Sequence, residues 1–306
     1  MTSNSNAQII DLINNLKKEK NAVILAHCYQ NIEIDEVADF VGDSLYLSQR
    51  AADTDADIIV FAGVYFMAET AKILSPDKKV LLPRKESGCL MADMINAEEL
   101  RNFKSNYMNA SVVCYVNSEA EIKAESDICC TSSNAVNIVK SIPGKEILFV
   151  PDRGLGAYIA SQVPDKKVTS YYGYCPTHMR ILPDDIKNLK NIYKGAEVLV
   201  HPECHMEVIK MADYIGSTSG IMNRVKESSS NSFIIATERG VVERLQRDYP
   251  DRVFILASEK AICENMKWTR LEDILVSLEK EIHEIFVEEN IRQKAYKAIK
   301  RMLDLS

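Results

Sequence analysis

The sequence predicts an α/β fold assembled from three similar units. Three observations carry this. Short apolar runs alternate with helix-like stretches along the chain. A phrase with an aspartate and a hydroxyl residue recurs as Ala38-Asp-Phe-Val-Gly-Asp-Ser44, Ser126-Asp-Ile-Cys-Cys-Thr-Ser132 and Ala212-Asp-Tyr-Ile-Gly-Ser-Thr218, at spacings of 88 and 86 residues. A cysteine closes each unit, Cys89, Cys175 and Cys263, at spacings of 86 and 88 residues.

The elements follow in order. Residues 7–18 place Ile9, Ile10, Leu12, Ile13 and Leu16 on one face, which predicts an amphipathic N-terminal helix within residues 1–20. The first unit, about residues 21–104, has strand-like runs at 22–27, 58–61 and 79–82. The second, about 105–192, has them at 111–115, 147–150 and 167–170, and the third, about 193–269, at 197–201, 233–236 and 252–256. Each unit therefore reads strand–helix–strand–helix–strand, with parallel strands joined by crossover helices. A Pro-Asp-basic turn precedes each third run, at Pro76-Asp-Lys78, Pro164-Asp-Lys166 and Pro250-Asp-Arg252. Recurring apolar runs occur in any α/β chain; shared offsets of cysteine, hydroxyl and turn do not. Residues 269–303 read as one further amphipathic helix in a C-terminal helical segment, 270–306.

Composition narrows the function. The chain has 306 residues, 46% hydrophobic and 26% charged, with net charge −7, which excludes bulk disorder. The acidic balance argues against a nucleic-acid or anionic-membrane surface. No apolar stretch is long enough to span a bilayer, and residues 1–20 lack a signal peptide's apolar run, so a cytoplasmic location is expected. There, eight cysteines without any CxxC pair point away from a disulfide framework and from zinc-ribbon or thioredoxin chemistry.

If the three units surround a pseudo-threefold axis, Cys89, Cys175 and Cys263 meet at one point. Three thiolates suit a soft metal centre. In a [4Fe–4S] cluster they leave one iron open as a Lewis acid, which favours hydratase or dehydratase chemistry; a three-cysteine zinc site stays open as an alternative. Cys129 and Cys130, outside the threefold pattern, read as packing residues at a helix start. Ser44, Ser132 and Thr218 read as helix N-caps; three helix N-termini on one axis would also bind a phosphate. The first strand of each unit ends in His27 and Tyr29, Tyr115 and Asn117, or His201 and Glu203. The shared i, i+2 spacing puts both members on one side of an extended segment. Tyr29 and Glu203 are candidate acid/base groups; the histidines and Asn117 are candidate donors to substrate oxygens.

The motifs Ile24-Leu-Ala-His-Cys-Tyr-Gln30, Gly42-Asp-Ser-Leu45, Ser133-Asn-Ala-Val136, Pro151-Asp-Arg-Gly-Leu-Gly156, Gly173-Tyr-Cys-Pro-Thr-His178, Val200-His-Pro-Glu-Cys204, Gly216-Ser-Thr-Ser-Gly220 and Cys263-Glu-Asn-Met-Lys267 together resemble the quinolinate synthase family, over about residues 9–278. The resemblance implies three homologous αβα sandwich domains with short parallel sheets around a pseudo-threefold axis. It implies a [4Fe–4S] cluster on Cys89, Cys175 and Cys263. The implied reaction condenses iminoaspartate with dihydroxyacetone phosphate to quinolinate, phosphate and water in the de novo route to NAD. The implied upstream enzyme is L-aspartate oxidase, as a transient contact at most. Carried over by motif, Ser44, Ser132 and Thr218 match phosphate-binding hydroxyls. His27, Tyr29, Tyr115, Asn117, His201 and Glu203 match residues around the substrate, with Tyr29, Glu203, His27 and His201 as the catalytic set. Cys28 departs from the family's usual residue at its position.

Other readings fare worse. Gly154-Leu-Gly156 lacks the third glycine of a dinucleotide fingerprint, since Ile159 stands there. Gly216-Ser-Thr-Ser-Gly220 puts Thr218 where a serine hydrolase needs its nucleophile. His201-Pro-Glu-Cys-His205 breaks the metalloprotease pattern. An iron–sulfur redox sensor or scaffold without turnover would use the same thiols but leaves the acid/base pairs unexplained.

Overall fold

The computed structural model describes residues 2–306, with side chains from Asn6 onward. Twelve strands form three four-stranded parallel sheets. In the first unit these are β1 (Ala22–His27), β2 (Phe40–Gly42), β3 (Ile58–Ala62) and β4 (Lys79–Leu81), ordered β2-β1-β3-β4. The second unit repeats that order with β5 (Ser111–Tyr115), β6 (Ile128–Cys130), β7 (Glu146–Val150) and β8 (Lys167–Ser170), arranged β6-β5-β7-β8. In the third, β9 (Glu197–Val200), β10 (Tyr214–Ile215), β11 (Ser232–Ala236) and β12 (Val253–Leu256) are ordered β10-β9-β11-β12. Helices flank each sheet, so the protein is α/β with three αβα layers.

The recurring aspartate has a structural task. Asp39, Asp127 and Asp213 each accept the backbone N–H of a residue 15 positions earlier, from Ile24, Val112 and Val198, at 2.8, 2.7 and 2.8 Å. Each also donates its own N–H to that same residue's carbonyl. The carboxylate thus replaces a ladder acceptor at the start of the second strand and sets its register: Leu25 faces Phe40, Val113 faces Ile128 and Leu199 faces Tyr214. The Pro-Asp-basic turns likewise share one geometry, with Lys78, Lys166 and Arg252 donating N–H to the carbonyls of Ser75, Val163 and Tyr249, each the C-cap residue just after the preceding helix.

Three expectations need correction. Each sheet has four strands instead of three; the extra strand is only two or three residues long and lies within the recurring phrase. Cys129 and Cys130 are in β6, fully buried, and not at a helix start. The C-terminal segment is two helices, Leu271–Lys280 and Glu289–Asp304. The break falls where Glu281 and His283 take positive φ, 51° and 62°, which ends the first helix in a left-handed cap. The first of these helices packs with the N-terminal helix Thr2–Glu19 against the first sheet; the second packs against the second unit. No helix among the described residues is long and apolar enough to cross a membrane.

Candidate functional site

All three sheets present their C-terminal strand ends to one pocket, the place where open parallel sheets bind ligands. Its lining includes His27 at the end of β1 and Tyr29 beyond it, Tyr115 at the end of β5 and Asn117 beyond it, and His201 and Glu203 beyond β9. Ser44, Ser132 and Thr218 line it beyond the second strands, and Cys89, Cys175 and Cys263 beyond the fourth. All twelve candidate site residues carried over by motif line this one cavity.

The paired residues are not held as an extended segment. After His27 and before Glu203 the chain turns, and the histidine ring closes the turn. His27 Nδ1 accepts the Tyr29 N–H at 3.1 Å, and His201 Nδ1 accepts the Glu203 N–H at 3.3 Å. That bond leaves Nε2 as the protonated nitrogen of a neutral ring. Burial holds both rings neutral, lowering each to a pKa of about 3; for His27 the Arg244 charge adds to the effect. Two neutral imidazoles therefore offer Nε2–H donors.

The candidate acid/base groups, Tyr29 and Glu203, are joined through residues to which the sequence assigned no role. The Tyr29 hydroxyl lies 3.0 Å from Thr218 Oγ1 and 3.1 Å from Thr237 Oγ1. Thr237 Oγ1 is 2.9 Å from His178 Nε2, and His178 Nδ1 is 2.6 Å from Glu203 Oε2. The His178 ring stacks on His201 at 4.4 Å. A hydrogen-bonded path thus runs from Tyr29 through Thr237 and His178 to Glu203. Burial pushes the Tyr29 and Tyr115 hydroxyls well up. Burial also opposes charge on Glu203, but His178, His201 and the Tyr115 hydroxyl outweigh it and hold this carboxyl below its ordinary value. Glu203 is thus the ionised member and Tyr29 the protonated one. His178 stood in a recognised motif; Thr237 carried no signal beyond following a buried strand.

The hydroxyl residues are not the N-caps. Asp43 caps the helix Ser44–Asp53 through Tyr46 N–H, and Ser217 caps Thr218–Glu227 through Gly220 N–H. Asn134 precedes the helix Ala135–Ser141. Ser44 and Thr218 are first helical residues, so their hydroxyls are free of capping. Ser217 Oγ donates to Asp43 Oδ2 at 3.3 Å, which draws two helix N-termini together. Positive dipole ends, with hydroxyls not spent on capping, suit an anion there.

The three cysteines are half-buried free thiols. Each sits just before a short helical turn whose N–H groups point at its sulfur: Ala92 and Met91 at Cys89, His178 at Cys175, Met266 at Cys263. Without a metal, burial pushes the thiols up, Cys89 to about 11 and Cys263 to about 12. The sulfurs feel one another, Cys89 acting on Cys263 and Cys263 on Cys175. Backbone donors aimed at mutually repelling thiols fit thiolates neutralised by a shared cationic centre. Two acidic residues fix the loops. Asp152 accepts the Cys175 N–H at 3.0 Å and Glu238 accepts the Cys263 N–H at 3.2 Å. Both also cap the helix that follows them, Arg153–Gln162 and Arg239–Asp248. The repeated acidic-Arg-Gly triplet at 152–154 and 238–240 was the available signal. Cys175, His178 and Glu203 also bring one ligand atom each within 4.8 Å of the others.

Residues 11–304 match the family described as quinolinate synthetase A protein. The chain belongs to this family. A quinolinate synthase of Alkaliphilus metalliredigens is 53% identical over 297 residues, 97% of this chain and 98% of that protein. Quinolinate synthase 2 of Methanosarcina acetivorans is 54% identical over 298 residues, 97% of this chain and 96% of that protein. A quinolinate synthase of Dehalococcoides mccartyi is 53% identical over 288 residues, 94% and 95% of the two chains.

Proposed function

We propose that the protein condenses iminoaspartate with dihydroxyacetone phosphate, giving quinolinate, phosphate and water on the way to NAD. The observation that carries this reading is a single pocket collecting a cysteine, a hydroxyl residue and a polar pair from each unit. Ser44, Ser132 and Thr218 bind the triose phosphate group with hydroxyls and helix N-termini. His27 and His201 donate from neutral Nε2–H, and Asn117 from its amide, to carboxylate and carbonyl oxygens. Glu203, ionised, takes a proton from substrate carbon or nitrogen. Tyr29, protonated, gives one to a departing or enolising oxygen, and His178 with Thr237 returns the proton between them. Cys89, Cys175 and Cys263 would hold a [4Fe–4S] cluster, which would supply Lewis-acid chemistry for loss of water.

The same proposal includes a cytoplasmic location and L-aspartate oxidase as the upstream source of iminoaspartate. It includes domains at 21–104, 105–192 and 193–269, between an N-terminal helix at 1–20 and a C-terminal helical segment at 270–306. The test is an anaerobic assay with both substrates beside iron and sulfide analysis. Quinolinate formation with about four irons per chain is expected. A brown, iron-loaded protein that makes no quinolinate favours the redox-sensor reading instead.

A further inference from the structure

His27 ends β1 still paired with Gly42, but Tyr29 stands in the turn beyond it, where the Cys28 N–H on Gly42 O is the last ladder bond, so the carbonyls of that turn need partners from elsewhere. We propose that Arg244 is a positioning residue: from the third unit, its buried guanidinium grips the carbonyls of Cys28 and Gln30 and so sets where His27 and Tyr29 point. This rests on the roles given to those two residues above.

Arg244 is 1% exposed, on the helix Arg239–Asp248. Its Nη1 donates to Cys28 O at 2.7 Å, Gln30 O at 3.1 Å and, within its own helix, Gly240 O at 3.2 Å. Its Nη2 donates to Asp35 Oδ1 at 2.5 Å, and the other Asp35 oxygen binds Arg247 at 2.7 Å. Asp35 lies in the short helix Ile32–Glu36 that follows the turn, so one side chain braces the turn and the element leaving it. The helix itself runs hard against the turn: a Cβ on Gly240 would meet Cys28 O at 2.8 Å. Lys267, four residues after Cys263, reaches Gln30 O at 3.3 Å but shares its charge with Glu238 and Glu243.

Stability alone is a poor account of this arrangement. A buried ion pair is often no more stabilising than apolar residues of the same volume, and Arg244 Nε is buried without a partner. What an apolar residue cannot do is bridge two carbonyls and a carboxylate from one planar group. A lysine keeps the charge but loses the fork.

The full-length variants R244M and R244K test this with two readouts. In R244M, kcat for quinolinate formation is expected to fall by about a hundredfold, with iron content and KM near wild type. R244K is expected to recover most of that, staying about threefold to tenfold below wild type. The second readout is the imidazole ¹⁵N resonances of His27, one of five histidines, assigned by comparison with H27Q. They should move in R244M and less in R244K, reporting the Nδ1 bond to Tyr29 N–H. That readout needs no turnover, so it still judges Arg244 if the wild type makes no quinolinate and the functional reading fails. Should R244M not fold, R244K decides. Wild-type kcat together with unmoved His27 resonances in a folded, iron-loaded variant overturns the proposal.

Discussion

The first and third units end their leading strand in one device, and the second does not. His27 and His201 each fold back on the N–H two residues on, and the residue so held is Tyr29 or Glu203. In the second unit Tyr115 and Asn117 occupy these places, without a histidine. That turn is braced instead by the fully buried Lys123, which donates to Ser118 O at 2.5 Å and Phe66 O at 3.4 Å, and by Ser118 Oγ on Tyr115 O at 3.0 Å. Burial lowers the Lys123 ammonium's pKa, and the carboxylate of Glu69 from the first unit opposes that while accepting the Ala120 N–H at 3.0 Å. Three units of one topology thus carry unequal chemistry. On the proposed roles, two deliver a proton-transfer group beside a neutral imidazole; the middle one delivers a phenol and an amide without an imidazole beside them.

The largest effect expected is common to all three units. Substituting Cys89, Cys175 or Cys263 with serine should abolish bound iron and quinolinate formation alike; a variant retaining both would break the equivalence. Next, Glu203→Gln should keep the iron and lower kcat by about 10²–10⁴-fold, the usual weight of a general acid or base. Asn117→Ala in the middle unit should cost less in kcat and more in KM, and a kcat loss matching that of Glu203→Gln would remove the distinction. The imidazole device also predicts a pH signature. His27 and His201 have folded pKa values near 3, below the unfolded value of about 6.5. The unfolded chain therefore binds more protons between those values. The contribution is complete above about pH 6.5 and declines as pH falls, by about 1.4 kcal/mol per unit for each ring. Denaturant melts of H27Q and H201Q between pH 4 and 7 should each show a shallower slope than wild type. Smallest of all, Cys129→Ser should leave iron content and turnover unchanged, although burial of a hydroxyl in β6 should lower the melting temperature.

Much of this was legible because the units repeat. Offsets of 86 and 88 residues isolated the cysteines and the hydroxyl residues from a background of ordinary packing positions. The second strand of each unit escaped because two or three residues give no periodicity, and its register rests on an aspartate that reads as part of a turn. The N-caps were displaced by one residue because Asp43 and Ser217 cap as well as Ser44 and Thr218 would. The break at 281–288 is hidden by apolar spacing that continues through it. Thr237 and Arg244 lie far along the chain from Tyr29 and Cys28, and nothing local in the sequence announces a partner so remote.

The pocket draws its walls from His27 through Met266. A chain leaving the ribosome therefore has no complete cavity until nearly all of it has been made, and a product that stops short of Met266 lacks part of a wall. The last-made third of the polypeptide is thus the one that completes the circle of neighbours.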